Sequence, residues 1–138
     1  MSFENPGDDE VRALLSRVKR IAVVGLSPKA HRDSYRVSAY MQRHGYEIVP
    51  VYPREDEILG ARVHRSLAEV PGPVDLVNVF RRADEVGAVV DEFLATDFPA
   101  IWTQYDCVDE AAALRAAERG RFVVMDRCLM VEHNRLLR

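Results

Sequence analysis

The chain has almost no cysteine: 2 residues in 138, Cys107 and Cys128. Two thiols make no disulfide framework and suit a reducing compartment. It also lacks an excess of positive charge. Lys and Arg number 19 against 22 Asp and Glu, a formal net charge of −3, so nothing electrostatic argues for a nucleic-acid partner. No apolar run approaches membrane-spanning length. The opening Met1-Ser2-Phe3-Glu4-Asn5-Pro6 has neither the basic nor the apolar region of a signal peptide. The histidines at 31, 44, 64 and 133 show no ligand spacing with the cysteines, which disfavours a metal site. Repeats, linkers and low-complexity segments are missing too. These absences point to a cytoplasmic protein with no membrane and no nucleic-acid partner. At 48% apolar and 30% charged residues the composition is that of an ordinary globular chain. The expectation is one domain over 1–138, with 1–8 a flexible polar lead-in.

What is present is a regular alternation of two periodicities. Val11, Leu14, Leu15 and Val18 sit at helical spacing, which predicts an amphipathic helix over 9–19 with acidic residues at its start and basic ones at its end. The run Ile21-Ala22-Val23-Val24 has no polar alternation and reads as a strand buried on both faces of a parallel sheet, over 20–25. Val37, Tyr40, Met41 and His44 predict a helix over 34–44, closed by Gly45, with His44 at the edge of the core. Further strands are expected at 47–51, 74–80, 99–104 and 122–125. Further helices are expected at 83–95, 109–119 and 129–137, with one helical turn near 66–70. Pro50 removes a ladder N–H, so its strand meets an edge or an irregularity there. Five strands alternating with helices imply right-handed crossovers and a small doubly wound α/β fold, a five-stranded parallel sheet with helices on both faces.

Ligands on such sheets bind beyond the carboxyl ends of the strands, where strand order reverses. Here that edge is formed by 25–29, 51–54, 79–82, 102–105 and 125–128. The first of these, Gly25-Leu26-Ser27-Pro28-Lys29, runs on to Ser34 and Tyr35. Strand, glycine turn, polar loop and helix start is the layout that sets N–H groups and a helix dipole against a phosphate. An NAD turn is disfavoured. Gly25 is the only glycine between Arg20 and His44, so G-x-G-x-x-G is absent. The acid that grips an NAD ribose is also missing, because the tip of the second strand reads Val51-Tyr52-Pro53-Arg54. A cation there suits a phosphorylated ribose, as in NADP or coenzyme A. Lys29, His31, Arg32 and Arg36 supply candidate pyrophosphate contacts. Cys128, near the start of the last helix, reads as a packing cysteine, with a mixed disulfide to a ligand thiol as the sharper alternative. Glu132-His133 is not a catalytic pair, because adjacent residues on a helix do not face one another.

Several motifs recur in order from about residue 20 to 137. They are Val24-Gly25-Leu26-Ser27-Pro28-Lys29 with Arg32-Asp33-Ser34-Tyr35, then Gly45-Tyr46 with Val49-Pro50-Val51-Tyr52-Pro53. Leu59-Gly60, Ser66-Leu67, Val74-Asp75, Val79-Phe80-Arg81-Arg82, Trp102-Thr103-Gln104 and 124–133 follow. On these the chain resembles the small bacterial and archaeal CoA-binding proteins, whose domain is similar to the CoA-binding domain of the succinyl-CoA synthetase α-subunit. The resemblance implies that Gly25, Ser27 and Lys29 lie at the pyrophosphate. It implies that Val51, Tyr52 and Pro53 hold the adenosine, with Arg54 near its 3′-phosphate. Val79, Phe80 and Arg81 would line the far side of the crevice, and Trp102 and Gln104 the pantetheine end. The chain departs from the family at Tyr105-Asp106, where a glycine turn is usual, and at Tyr52, where asparagine is usual. The synthetase needs a further domain with its phosphorylated histidine, for which this chain has no room. The expected function is therefore binding of CoA or acyl-CoA without catalysis, as a carrier, sensor or regulatory module. A homodimer or an unidentified protein partner is compatible with this. The alternative is an NADP- or acyl-CoA-dependent enzyme using Asp126 or Tyr105 for proton transfer.

Overall fold

A computed structural model describes residues 2–137. Seven strands and five helices follow one another along the chain. The order is α1 Asp8–Arg17, β1 Arg20–Val24, α2 Asp33–Arg43, β2 Glu47–Val51, β3 Glu57–Ile58, β4 Ala61–Arg62, β5 Leu76–Val79, α3 Ala83–Leu94, β6 Ala100–Thr103, α4 Glu110–Glu118, β7 Phe122–Val124 and α5 Leu129–Leu137. Five strands make one parallel sheet in the order β2-β1-β5-β6-β7, so the strand order reverses between β1 and β5. The expected α/β architecture is the one observed.

Alternate residues of each strand feed two apolar layers, as the period of 2 requires. Ala22, Val24, Val77, Val79 and Ile101 pack with α3 and α4 on one face. Ile21, Val23, Leu76, Trp102 and Val124 pack with α1, α2 and α5 on the other. Both faces are covered, which is why β5 and β6 are buried along their whole length. Pro50 is tolerated because β2 is the outer strand. Its neighbours bond inward to β1, while the Pro50 carbonyl accepts from the His64 N–H on the open side at 3.0 Å.

Two features differ from the sequence expectation. The segment between β2 and β5 contains a short antiparallel hairpin, β3–β4, whose turn residues Leu59 and Gly60 have φ of 54° and 76°. Paired positive φ values match a type I′ turn, and the dipeptide Leu-Gly gives only half the signal. The lead-in is tied down rather than frayed, over the part of it that lies within the described residues; Met1 lies outside them. The Asn5 side chain donates to the Met125 carbonyl at 2.9 Å and accepts from the Met125 N–H at 2.8 Å. That pair mimics a strand ladder just past the end of β7. Asn5→Ala removes both bonds, and thermal or urea melts should show a loss of about 1–3 kcal/mol. A change near zero would mean that the lead-in contributes no stability.

Candidate functional site

The centre of the ligand edge is a close approach between two strand ends. Gly25 leaves β1 with φ +86°, and its N–H donates to the Val51 carbonyl at 2.9 Å. The Phe80 N–H, at the end of β5, bonds back to the Val24 carbonyl at 2.9 Å. A Cβ on Gly25 would lie 2.2 Å from the Phe80 carbonyl oxygen and 3.3 Å from the Arg81 side chain. Glycine is required here by the left-handed backbone and by the neighbouring strand, before any ligand is considered.

The loop beyond Gly25 braces itself. The Ser34 hydroxyl accepts from the Ser27 N–H at 3.0 Å, and the Ser27 hydroxyl accepts from the Lys29 N–H at 3.1 Å. The amides of Gly25, Ser27 and Lys29, the three residues expected at a pyrophosphate, are therefore already engaged within the protein. What this end offers an anion is different. At the start of α2 the Tyr35 and Arg36 amides bond to the Arg32 carbonyl, while helix geometry leaves those of Asp33 and Ser34 without intrahelical acceptors, at the positive end of its dipole. The Lys29 and Arg32 side chains are exposed beside them. Gly25, Ser27, Lys29, Arg32, Arg54 and Phe80 line one hollow. Arg36 stands apart from it, paired with Asp33 and the His31 carbonyl.

On one flank this hollow meets a second, with which it shares Gly25 and Tyr52. Tyr52 is half-buried there and Pro53 exposed, with the Arg54 guanidinium 6.0 Å from the centre of the Tyr52 ring, within cation–π range. Val51 is buried and reaches the site only through its backbone. Arg65, which sequence reasoning did not single out, holds this loop in place. It donates to the carbonyls of Tyr52, Arg54 and Glu55 at 3.3, 3.0 and 2.8 Å. Its only trace in the sequence is one more arginine in a charged segment.

A third hollow shares Arg32, Asp33 and Phe80 with the first and Arg81 with the second, and is also lined by Gln104, Tyr105, Cys107 and Cys128. Arg81 is clamped to Glu85 at 2.6 Å. Trp102 corrects the expectation for the pantetheine end. It is fully buried, its indole N–H donating to the Arg127 carbonyl at 2.9 Å, and it lines none of these three hollows. Leu26 and Val79 are likewise fully buried, and Tyr35 is half-buried against the core. Pro28 is half-buried in the loop and lines none of these three hollows. Strand-end position alone does not say which side chains turn inward. Gln104 does line the third hollow, and its Oε1 accepts from the Leu129 N–H at 3.0 Å, capping α5. Gln104→Leu leaves that buried amide unpaired, and denaturant melts should show about 1–3 kcal/mol lost.

The remaining titratable candidates, Tyr105 apart, make structural contacts. The Asp126 carboxylate accepts from the Asp106 N–H at 2.9 Å, and Tyr105 is 54% exposed. Glu132 turns to Arg135 at 2.8 Å while His133 Nδ1 meets the Tyr40 hydroxyl at 2.9 Å, so the two do not form a pair. His44 is exposed just beyond α2 and stacks on Tyr40, not in the core edge as expected. Among the described residues no group of three or more His, Cys, Asp or Glu side chains could hold a metal ion. None of the helices they form is long and apolar enough to cross a membrane.

A parallel sheet with a glycine notch at its reversal point, flanked by a helix start and cations, defines a Rossmann-like α/β domain of the nucleotide-binding class. A family model described as "CoA binding domain" matches residues 19–134. The chain belongs to that CoA-binding domain family. It is 49% identical over 131 residues to the uncharacterized protein YneT of Bacillus subtilis, covering 95% of this chain and 97% of that one. A hypothetical protein from Pyrococcus horikoshii superposes with a TM-score of 0.92 at 34% identity over 100% of both chains. Over 41% of this chain and 12% of the other, it is 37% identical to the α-subunit of an ADP-forming acetate–CoA ligase from Pyrococcus furiosus.

Proposed function

We propose that this protein binds CoA or an acyl-CoA across the carboxyl ends of its strands and does not transform it. It acts as a carrier, sensor or regulatory module. The family supports CoA as the ligand, and the observation that carries the placement is the set of three hollows with shared walls. They give one hollow with Tyr52 and Pro53 beside Asp84, Glu85 and Glu92, a cationic one at Lys29 and Arg32, and a third at Phe80, Gln104 and the two cysteines. That succession matches adenosine, pyrophosphate and pantetheine. Arg54 lies on the adenosine side, where a ribose 3′-phosphate would need a cation. The absence of a transformation is supported by the engagement of Asp126, Arg81 and Gln104 in structural bonds.

Calorimetric titration with CoA, acetyl-CoA, NADP and NAD tests the reading. CoA or its acetyl thioester should bind, with NAD silent. Tight binding of NADP with no response to CoA would overturn it, and conversion of acetyl-CoA to free CoA during the titration would overturn the non-catalytic role.

A further inference from the structure

Both cysteines of the chain line one hollow, although 21 positions separate them and they come from different loops. Cys107 lies between β6 and α4, and Cys128 immediately precedes α5. Both are free thiols, more than nine-tenths buried. They sit at the end of the crevice away from Lys29. A nucleotide with its pyrophosphate at the cationic centre and its adenosine on Tyr52 extends its other arm toward them. Gln104 is buried on the same wall, its Oε1 accepting from the Leu129 N–H of α5.

We infer that Cys128 exchanges with CoA disulfides, so that the protein carries CoA as a protein–CoA mixed disulfide. The inference rests on the proposed binding of CoA. In the exchange the Cys128 thiolate attacks one sulfur of the disulfide CoA–S–S–R. A new Sγ–S bond to CoA forms, the old S–S bond breaks, and R leaves as a thiolate that takes up a proton. The disulfide is the oxidant, one Cys128 sulfur is oxidised and the R sulfur reduced, so no other electron acceptor is needed. A small-molecule thiol reverses the step by the same route. The two cysteines are not equivalent in this. Burial raises the Cys107 thiol above its ordinary value, which keeps it protonated and a poor nucleophile. Cys128 lines the same hollow from the loop that leads directly into α5.

The experiment incubates the wild-type protein with CoA disulfide and weighs it intact without reductant. A parallel titration measures CoA binding under reducing conditions. One CoA per chain should be added, released by dithiothreitol, and mapped by peptide digestion of the wild-type adduct to Cys128. Cys128→Ser should lose the adduct and Cys107→Ser should keep it. Glutathione disulfide, which lacks the nucleotide, should label at least tenfold more slowly. Binding of CoA without an adduct overturns the inference and leaves the binding reading intact. An adduct mapped to Cys107, or equal labelling by glutathione disulfide, does the same. No binding of CoA under reducing conditions overturns the reading itself.

Discussion

Gly25→Ala should unfold the protein or leave it destabilised by about 2–5 kcal/mol. Two independent terms add at this position. The backbone is left-handed, with φ +86°, which costs an L-residue about 1–2 kcal/mol. The added methyl would also stand 2.2 Å from the Phe80 carbonyl oxygen. That oxygen belongs to the main chain at the end of β5, so relief requires parting β1 from β5, at a cost comparable to overpacking, about 1–3 kcal/mol. Gly45 is the internal control. Its φ is +94°, but a methyl added there would meet no atom within 4 Å beyond its chain neighbours, so Gly45→Ala should show the first term alone. Urea denaturation of both variants measures the difference. Equal losses at the two sites would mean that the strand ends part easily and that the notch is not rigid. If Gly25→Ala folds at all, its binding of CoA should fall as well, because the Phe80–Arg81 wall must move outward.

The strands and helices were legible because their signals were strong and local. Four unbroken apolar residues before Gly25 admit a doubly covered strand, and the spacing of Val86, Val89, Val90 and Phe93 admits one helical face. The reversal of strand order beside Gly25 was legible from topology. The identity of the inward-facing side chains was not. Trp102 and Gln104 are two residues apart on the same strand end and both are buried, yet one fills the core and the other lines the hollow. Side chains of a strand alternate by register alone only while the strand is regular. Gln104 lies past the last strand residue, Thr103, where the chain has begun to turn. The glycine loop shows a related limit. Its residue types suit a phosphate, but the Ser27–Ser34 and Ser27–Lys29 bonds consume the amides that such a loop is expected to offer. Serine side chains that bond neighbouring backbone compete for those donors, and only coordinates show which partner wins. The role of Arg65 was equally invisible, since its acceptors are three carbonyls of a loop 10 to 13 residues upstream.

With the loop amides engaged, the affinity for the pyrophosphate falls on side chains, and Lys29→Ala with Arg32→Ala should weaken CoA binding about 100-fold. Each cation that hydrogen-bonds a phosphate contributes about 1.5 kcal/mol or more, and two such losses amount to roughly two decades in Kd. Neither residue forms an ion pair with a carboxylate of the described chain, and both are exposed, so stability should stay within about 0.5 kcal/mol of wild type. Binding measured between low and high salt adds a second readout. The wild type should lose affinity as salt rises, because exposed charge pairs are screened, and the double variant should lose less. Arg54 is separated from this effect by its ligand partner. Arg54→Ala should weaken CoA but leave dephospho-CoA, which lacks the 3′-phosphate, nearly unchanged, whereas the Lys29 and Arg32 changes weaken both alike. A cycle in which Arg54→Ala affects the two ligands equally would remove the 3′-phosphate from Arg54 and reduce that residue to its contact with Tyr52. Retention of wild-type affinity by the double variant would instead move the pyrophosphate away from the Gly25 turn, toward the Arg81 side of the crevice.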